Sequence, residues 1–161
     1  MDLATTATLS PAPHTPAPGR LQHLQPPGLY DAAPNGYTHV VQVDAPLRWV
    51  FVSGQGGENA SAELPEDFAD QACQALANLH TALTAAGAGM GDVARLTVLI
   101  VDHSLERFQL WQQALRLYWG DSHTPPLPFP ACTLIPVPKL ALPGMLIEVD
   151  ATAALPLQGQ T

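Results

Sequence analysis

An acid set in an apolar strand stands out first: Glu148 lies in Met145-Leu-Ile-Glu-Val-Asp-Ala151. A carboxylate there is costly unless it lines a cleft or is paired. In a cleft it has the chemistry of a general acid or of a group that positions water. Asp150, two residues on, shares the same strand face and reads as its paired or exposed neighbour. Tyr37 offers a phenol donor at the start of an apolar run, and Ser53 closes the run Arg48-Trp-Val-Phe-Val-Ser53. The Gly54-Gln-Gly-Gly57 stretch after it has enough glycine for backbone N–H groups to cradle an anion, and equally enough for a plain turn. Ser53 has no GxSxG elbow around it and no Ser-His-Asp order, which argues against a serine hydrolase.

The two cysteines, Cys73 and Cys132, are too few for a disulfide framework and belong to no CxxC pair, so a reducing cytoplasm is the expected setting. A nucleophilic Cys132 would need a lowered pKa and a nearby base, whereas its sequence neighbours are apolar; Cys73 beside a helical stripe is expected in the core. The six histidines (14, 23, 39, 80, 103 and 123) show no HxH, HxxxH or HExxH spacing, so no metal site is expected. Six Lys and Arg against 14 Asp and Glu give a formal charge of -8, which repels a phosphate backbone and makes nucleic acid a poor partner. Residues 1–20 lack the apolar core of a signal peptide, and no stretch approaches the 18 or so apolar residues of a membrane span.

The elements that must position these groups follow from periodicity. Residues 1–35 are dense in Pro, Ala and Thr and read as a flexible or extended arm; residues 36–155 form the domain and 156–161 a tail. Thr38 to Val43 and Arg48 to Ser53 read as strands joined by a turn at Asp44-Ala-Pro-Leu47, hence as a hairpin. Acids at 66 and 67 precede Phe68, Ala72, Leu76, Leu79 and Leu83, one helical stripe that stops at Gly87. Val93 to Val101 is a β-branched strand. Asp102 or Ser104 caps a second helix with Leu105, Phe108, Trp111, Leu115 and Tyr118 or Trp119 on its apolar side. Ala131 to Ile135 and Met145 to Ala153 are the last strands. The order β-β-α-β-α-β-β specifies a two-layer α+β domain, a sheet of about five strands with two helices. The 12% charged composition is low, and the runs WVFV and TVLIV are apolar at consecutive positions. Two helices cover one sheet face, so the other is expected to meet a further copy of the chain.

Several segments resemble the RidA/YjgF/L-PSP family in order along the chain. They are Tyr37-Thr-His-Val-Val41, Phe51-Val-Ser-Gly-Gln55, Gln74-Ala-Leu-Ala-Asn-Leu79 with Ala85-Ala-Gly87, Asp92 to Leu99, Pro130-Ala-Cys-Thr133 and Pro143 to Asp150. The resemblance implies a chorismate-mutase-like fold with a mixed sheet and two helices on one face. It also implies a homotrimer with small-molecule clefts between subunits. The implied activity is hydrolysis of reactive enamines and imines to a 2-oxo acid and ammonia, without metal or organic cofactor. It implies Glu148 as the acid that orients water, with backbone N–H groups near Cys132 polarising the substrate, and Tyr37, Ser53, Gly54, Ala131, Cys132 and Thr133 around the ligand. A PAR motif would place the family's carboxylate-gripping arginine at Cys132, and Gln112 stands for a helix asparagine. Arginine grips a carboxylate with a two-pronged fork that Cys lacks, so a substrate other than the standard 2-imino acid is expected, with Lys139 or Arg48 as weak substitutes. A non-catalytic trimer that binds or senses a small metabolite is the alternative, and an endoribonuclease a third, disfavoured by charge.

Overall fold

The computed structural model describes residues 21–44, 47–120 and 123–157. Most of the expected arm, the turn residues 45 and 46, and the end of the tail lie outside the described residues. Six strands and two helices are seen among them: β1 (Leu21–Leu24), β2 (Val40–Val43), β3 (Leu47–Gly56), α1 (Phe68–Ala85), β4 (Val93–Val101), α2 (Leu105–Arg116), β5 (Ala131–Val137) and β6 (Ile147–Pro156).

The main sheet has the order β3-β6-β4-β5, four strands rather than about five. Strands β4 and β5 run parallel, and the β3–β6 and β4–β6 pairs are antiparallel, so the sheet is mixed. The expected hairpin between the first two strands is not formed: β2 pairs with β1, which lies within the segment read as the arm. The reason is a tether. The Thr38 amide donates to the Pro130 carbonyl at 3.0 Å, at the start of β5, and β5 is the strand farthest from β3 in the sheet. Held there, the chain leaving Thr38 cannot lie along the β3 edge.

Helix α1 forms because its stripe and its cap agree. Asp67 accepts from the amides of Ala69 and Asp70, satisfying donors the first turn leaves open. Phe68, Ala72, Leu76, Leu79 and Leu83 are all buried, and each buried leucine contributes about 2 kcal/mol of apolar burial. Ser104 caps α2 through the Arg107 amide at 3.1 Å. Trp111 and Leu115 in α2, and Trp119 just past its end, are buried as the stripe requires, but Leu105 is 71% exposed because it begins the first turn, outside the contact with the sheet. Cys73 is exposed rather than part of the core, since it lies off the Ala72–Leu76 line.

Both helices cover one sheet face, formed by Val50 and Val52, Leu96, Val98 and Ile100, Val149 and Ala151, and Leu134. The opposite face is uncovered in the single chain. There Phe51 is 77% exposed and Trp49 49%, with Ile135 at 41%. The consecutively apolar run WVFV is thus explained by one covered face and one apolar face without cover. No helix among the described residues is long and apolar enough to cross a membrane.

Gln71 ties the helix layer to the chain entering β6. It is fully buried; its Nε2 donates to the Pro65 carbonyl (2.7 Å) and the Gly144 carbonyl (2.8 Å), and its Oε1 accepts from the Leu146 amide (2.8 Å). Gly57 packs so close to it that an added Cβ would stand 2.6 Å from the Gln71 Cα. Gln71→Ala strands these three backbone groups. The expected loss is about 3 kcal/mol of unfolding free energy, read from urea midpoints at unchanged slope.

Candidate functional site

The residues singled out from sequence fall into two groups, one at the β5 edge of the sheet and one on the β3–β6 pair. The first surrounds Tyr37. A 3-10 turn at Ala33–Asn35 is closed by Gly36, whose φ of 77° lies in the left-handed region that glycine tolerates. This turn is pinned to α2 from two positions: Gln112 Nε2 donates to the Pro34 carbonyl at 3.1 Å and Arg116 Nη2 to the same oxygen at 2.8 Å. Together with the Thr38–Pro130 hydrogen bond, the pin holds Tyr37 over the start of β5. A cavity of about 430 Å³ opens there, with Tyr37, Cys132 and Thr133 in its wall. Gln112 therefore acts through the turn and does not line the cavity, and Ala131, half-buried, lies beside it in β5 without lining it.

Inside this group Tyr37 is bonded to a residue that sequence reading passed over. The hydroxyls of Tyr30 and Tyr37 share a hydrogen bond, and the His39 Nε2 lies 2.8 Å from the Tyr30 carbonyl. A carbonyl only accepts, so His39 carries its proton on Nε2 and donates it. The three rings meet edge to face, with centroids 5.1 to 6.4 Å apart. The Tyr30 hydrogen bond, then burial, then the neighbouring Tyr30 and Cys132 groups push the Tyr37 phenol up to about 12. Burial pushes the Cys132 thiol up to about 12, against a smaller lowering pull from Arg95. The thiol is thus protonated at neutral pH and is no ready nucleophile.

The second group surrounds Glu148. Val52 pairs with Ala151 and Gln55 with Val149, so Ser53 and Gly54 together face Asp150 in a bulge. The bulge turns Gly54 directly under the Glu148 side chain: an added Cβ would stand 1.8 Å from its Oε1. Only a residue without a Cβ admits the carboxylate here. Ser53, Gly54 and the half-buried Glu148 thus form one constellation, with Asp150 exposed beside it. Glu58, also missed in the sequence, folds its carboxyl over Gly56, the residue paired with Glu148, and leaves its Oε2 buried without a hydrogen-bond partner.

The two groups do not meet within one chain. Ile135, Leu99 and Glu148 sit in one row across β5, β4 and β6, so two strand spacings, about 10 Å, separate the β5 and β6 positions. Glu148 does not line the Tyr37 cavity. Neither do the suggested substitutes for an arginine. The Arg48 Nη2 donates to the Ala86 carbonyl at 2.9 Å, closing the C-terminus of α1, and Lys139 lines a separate groove beside Pro138 to Leu146. Tyr30 escaped notice because it stands in a proline-dense stretch; its ring seven residues ahead of Tyr37, across the Ala33–Asn35 turn, was the available signal.

With this geometry in view, comparison with known proteins becomes specific. The sequence model of the endoribonuclease L-PSP family matches residues 30–155. The chain belongs to the RidA/YjgF/L-PSP family. A rat relative, 2-iminobutanoate/2-iminopropanoate deaminase, is 41% identical over 125 residues, covering 76% of this chain and 82% of that protein; the mouse protein of the same name is 34% identical over 125 residues, covering 76% and 83%. Among solved structures, the Rid-family protein YyfB from Yersinia pestis is similar at a TM-score of 0.76 and 33% identity, covering 84% of this chain and 98% of that one. Escherichia coli TdcF, solved with bound serine, is similar at a TM-score of 0.58 and 26% identity, covering 74% and 93%. The two-layer α+β architecture is thus that of the RidA/YjgF fold.

The raised thiol has a signed consequence. The unfolded chain ionises Cys132 near 9.0, while the folded protein holds the proton to about 12. The folded state binds the extra proton, so stability present below pH 9 is lost as pH rises from about 9 to about 12. Cys73 is also held above its ordinary value, by partial burial of its thiol and by Asp70, but its side chain is exposed. Iodoacetamide at pH 8 should modify Cys73 about tenfold faster than Cys132, read by peptide mass spectrometry; equal rates would contradict a buried, protonated Cys132.

Proposed function

We propose that this RidA-family chain hydrolyses a small reactive imine or enamine to a carbonyl compound and ammonia, in a cleft shared between copies of itself in a homotrimer. The supporting observation is the separation of the site into two groups, one at the β5 edge and one on the β3–β6 pair of the same sheet, beside an apolar face that no helix covers. A head-to-tail, cyclic contact brings the β5 side of one copy to the β3–β6 side of the next, and so sets Tyr37, Cys132 and Thr133 opposite Ser53, Gly54 and Glu148. Burying Trp49 and Phe51 in such a seam would supply about 2–3 kcal/mol each. Naming of the rat and mouse relatives as deaminases of 2-imino acids supports the reaction class, and the serine in TdcF supports a ligand of metabolite size.

In this reading Glu148 holds the attacking water and takes its proton. The water oxygen bonds to the imine carbon as Glu148 takes one water proton and passes it to the imine nitrogen, giving a carbinolamine. Glu148 then takes the hydroxyl proton, the nitrogen receives it, and the carbon–nitrogen bond breaks as the C=O double bond forms, releasing ammonia. Strand β5 is an edge strand, so some of its backbone N–H groups beside Cys132 lack a ladder partner and can polarise the substrate. Water and these groups suffice for the step without a cofactor. The substrate departs from the standard 2-imino acid, because the position read as the carboxylate-gripping arginine carries Cys132. The protonated thiol favours one second reading, a trimer that binds a metabolite without turning it over.

Ammonia release from imines generated in situ tests the proposal. Glu148→Gln should lower kcat about 100-fold with KM nearly unchanged, since it removes the proton acceptor and keeps the shape. No rate above buffer across charged and neutral imines, with ligand binding retained, would replace catalysis by the binding reading.

A further inference from the structure

This chain's wall of the Tyr37 cavity is built from rings and neutral groups. Tyr30, Tyr37, Phe108 and Trp111 supply four aromatic side chains, and Cys132 and Thr133 are among its polar members. No Lys, Arg, Asp or Glu side chain of the described residues lines it. A carboxylate entering such a wall gives up water and meets no cation in the lining, Arg95 acting on Cys132 only as a weak pull from outside it, whereas an uncharged conjugated group gains ring contact and loses little.

Tyr30 shapes this wall more than any other residue. Its hydroxyl shares a hydrogen bond with that of Tyr37, its carbonyl accepts from His39, and its ring stands edge-on to both. It lines the cavity and is 60% exposed in the single chain, outside the core. We propose that Tyr30 is a specificity-determining residue of the cleft, which makes it select flat, uncharged ligands over small carboxylates. The proposal rests on the cleft reading above and deepens it by naming the ligand class.

Tyr37 and Tyr30 satisfy each other when the cavity holds only water. A ligand carbonyl or imine nitrogen replaces one member of that bond and accepts from a phenol, while its flat face lies against the rings. A carboxylate would need a cation to repay its lost hydration, and two phenols do not provide one.

The test measures binding rather than turnover, so it is independent of whether the chain is a deaminase. Dissociation constants of the full-length protein are determined by calorimetry for benzamide, its charged isostere benzoate, and 2-oxobutanoate. Benzamide should bind at least about tenfold tighter than either anion. Tyr30→Ala should weaken benzamide at least about fivefold and narrow the gap to benzoate. Tyr30→Phe, which keeps the ring, should lose less. Because Tyr30 is largely exposed, both variants should melt as the parent does. Benzoate or 2-oxobutanoate binding as tightly as benzamide would overturn the proposal. So would unchanged benzamide affinity in Tyr30→Ala, or no binding of any probe. Selective benzamide binding without ammonia release from any imine would uphold Tyr30 as the selector and remove the deaminase reading alone.

Discussion

Two helices can cover only one face of a four-stranded sheet, and everything else about this chain follows from what that leaves bare. Alternation along β3 sends Val50 and Val52 into the helix layer and Trp49 and Phe51 out of it. A lone subunit would hold two large aromatic side chains against water on that face. The same alternation along β6 puts Val149 inside and Glu148 outside, so the catalytic candidate stands on the face that lacks cover. Packing and chemistry are therefore one problem: whatever buries the aromatic residues also encloses the acid.

Local devices make the arrangement rigid. The bulge at Ser53 and Gly54 admits the Glu148 carboxylate, and the Gln71 clasp holds the chain entering β6. On the other side, the Thr38–Pro130 bond and the double grip of Gln112 and Arg116 on Pro34 hold the Tyr37 segment to β5 and α2. Each of these contacts fixes a group of the proposed cleft. The Cys132 thiol and the Tyr37 phenol both keep their protons at neutral pH; the proposed reaction takes Glu148 as its proton acceptor.

Sequence reading reached the parts governed by local periodicity. The α1 stripe is buried at every expected position, Ser104, one of the two residues expected to cap α2, does so, and Val93–Val101 is a strand with the expected bounds. It failed where long-range contacts decide. The tether at Pro130 moved β2 off the β3 edge and replaced the hairpin with a β1–β2 pair. Cys73 and Leu105 are apolar in type but sit at positions the core does not reach. The Gly54–Glu148 contact depends on a register shift that no pattern of residue types discloses, and Tyr30 was hidden by proline content that suggested an arm. The family resemblance supplied the fold; the ring cluster beside Tyr37 came only from the coordinates.

The most direct test of the shared cleft is the solution mass of the purified full-length chain, measured by sedimentation equilibrium across a range of micromolar concentrations. A stable species of three times the 17.0 kDa chain mass is expected, with Phe51→Asp shifting it toward the single chain. A parent protein that sediments as one 17.0 kDa chain throughout that range would contradict a site completed by neighbouring copies.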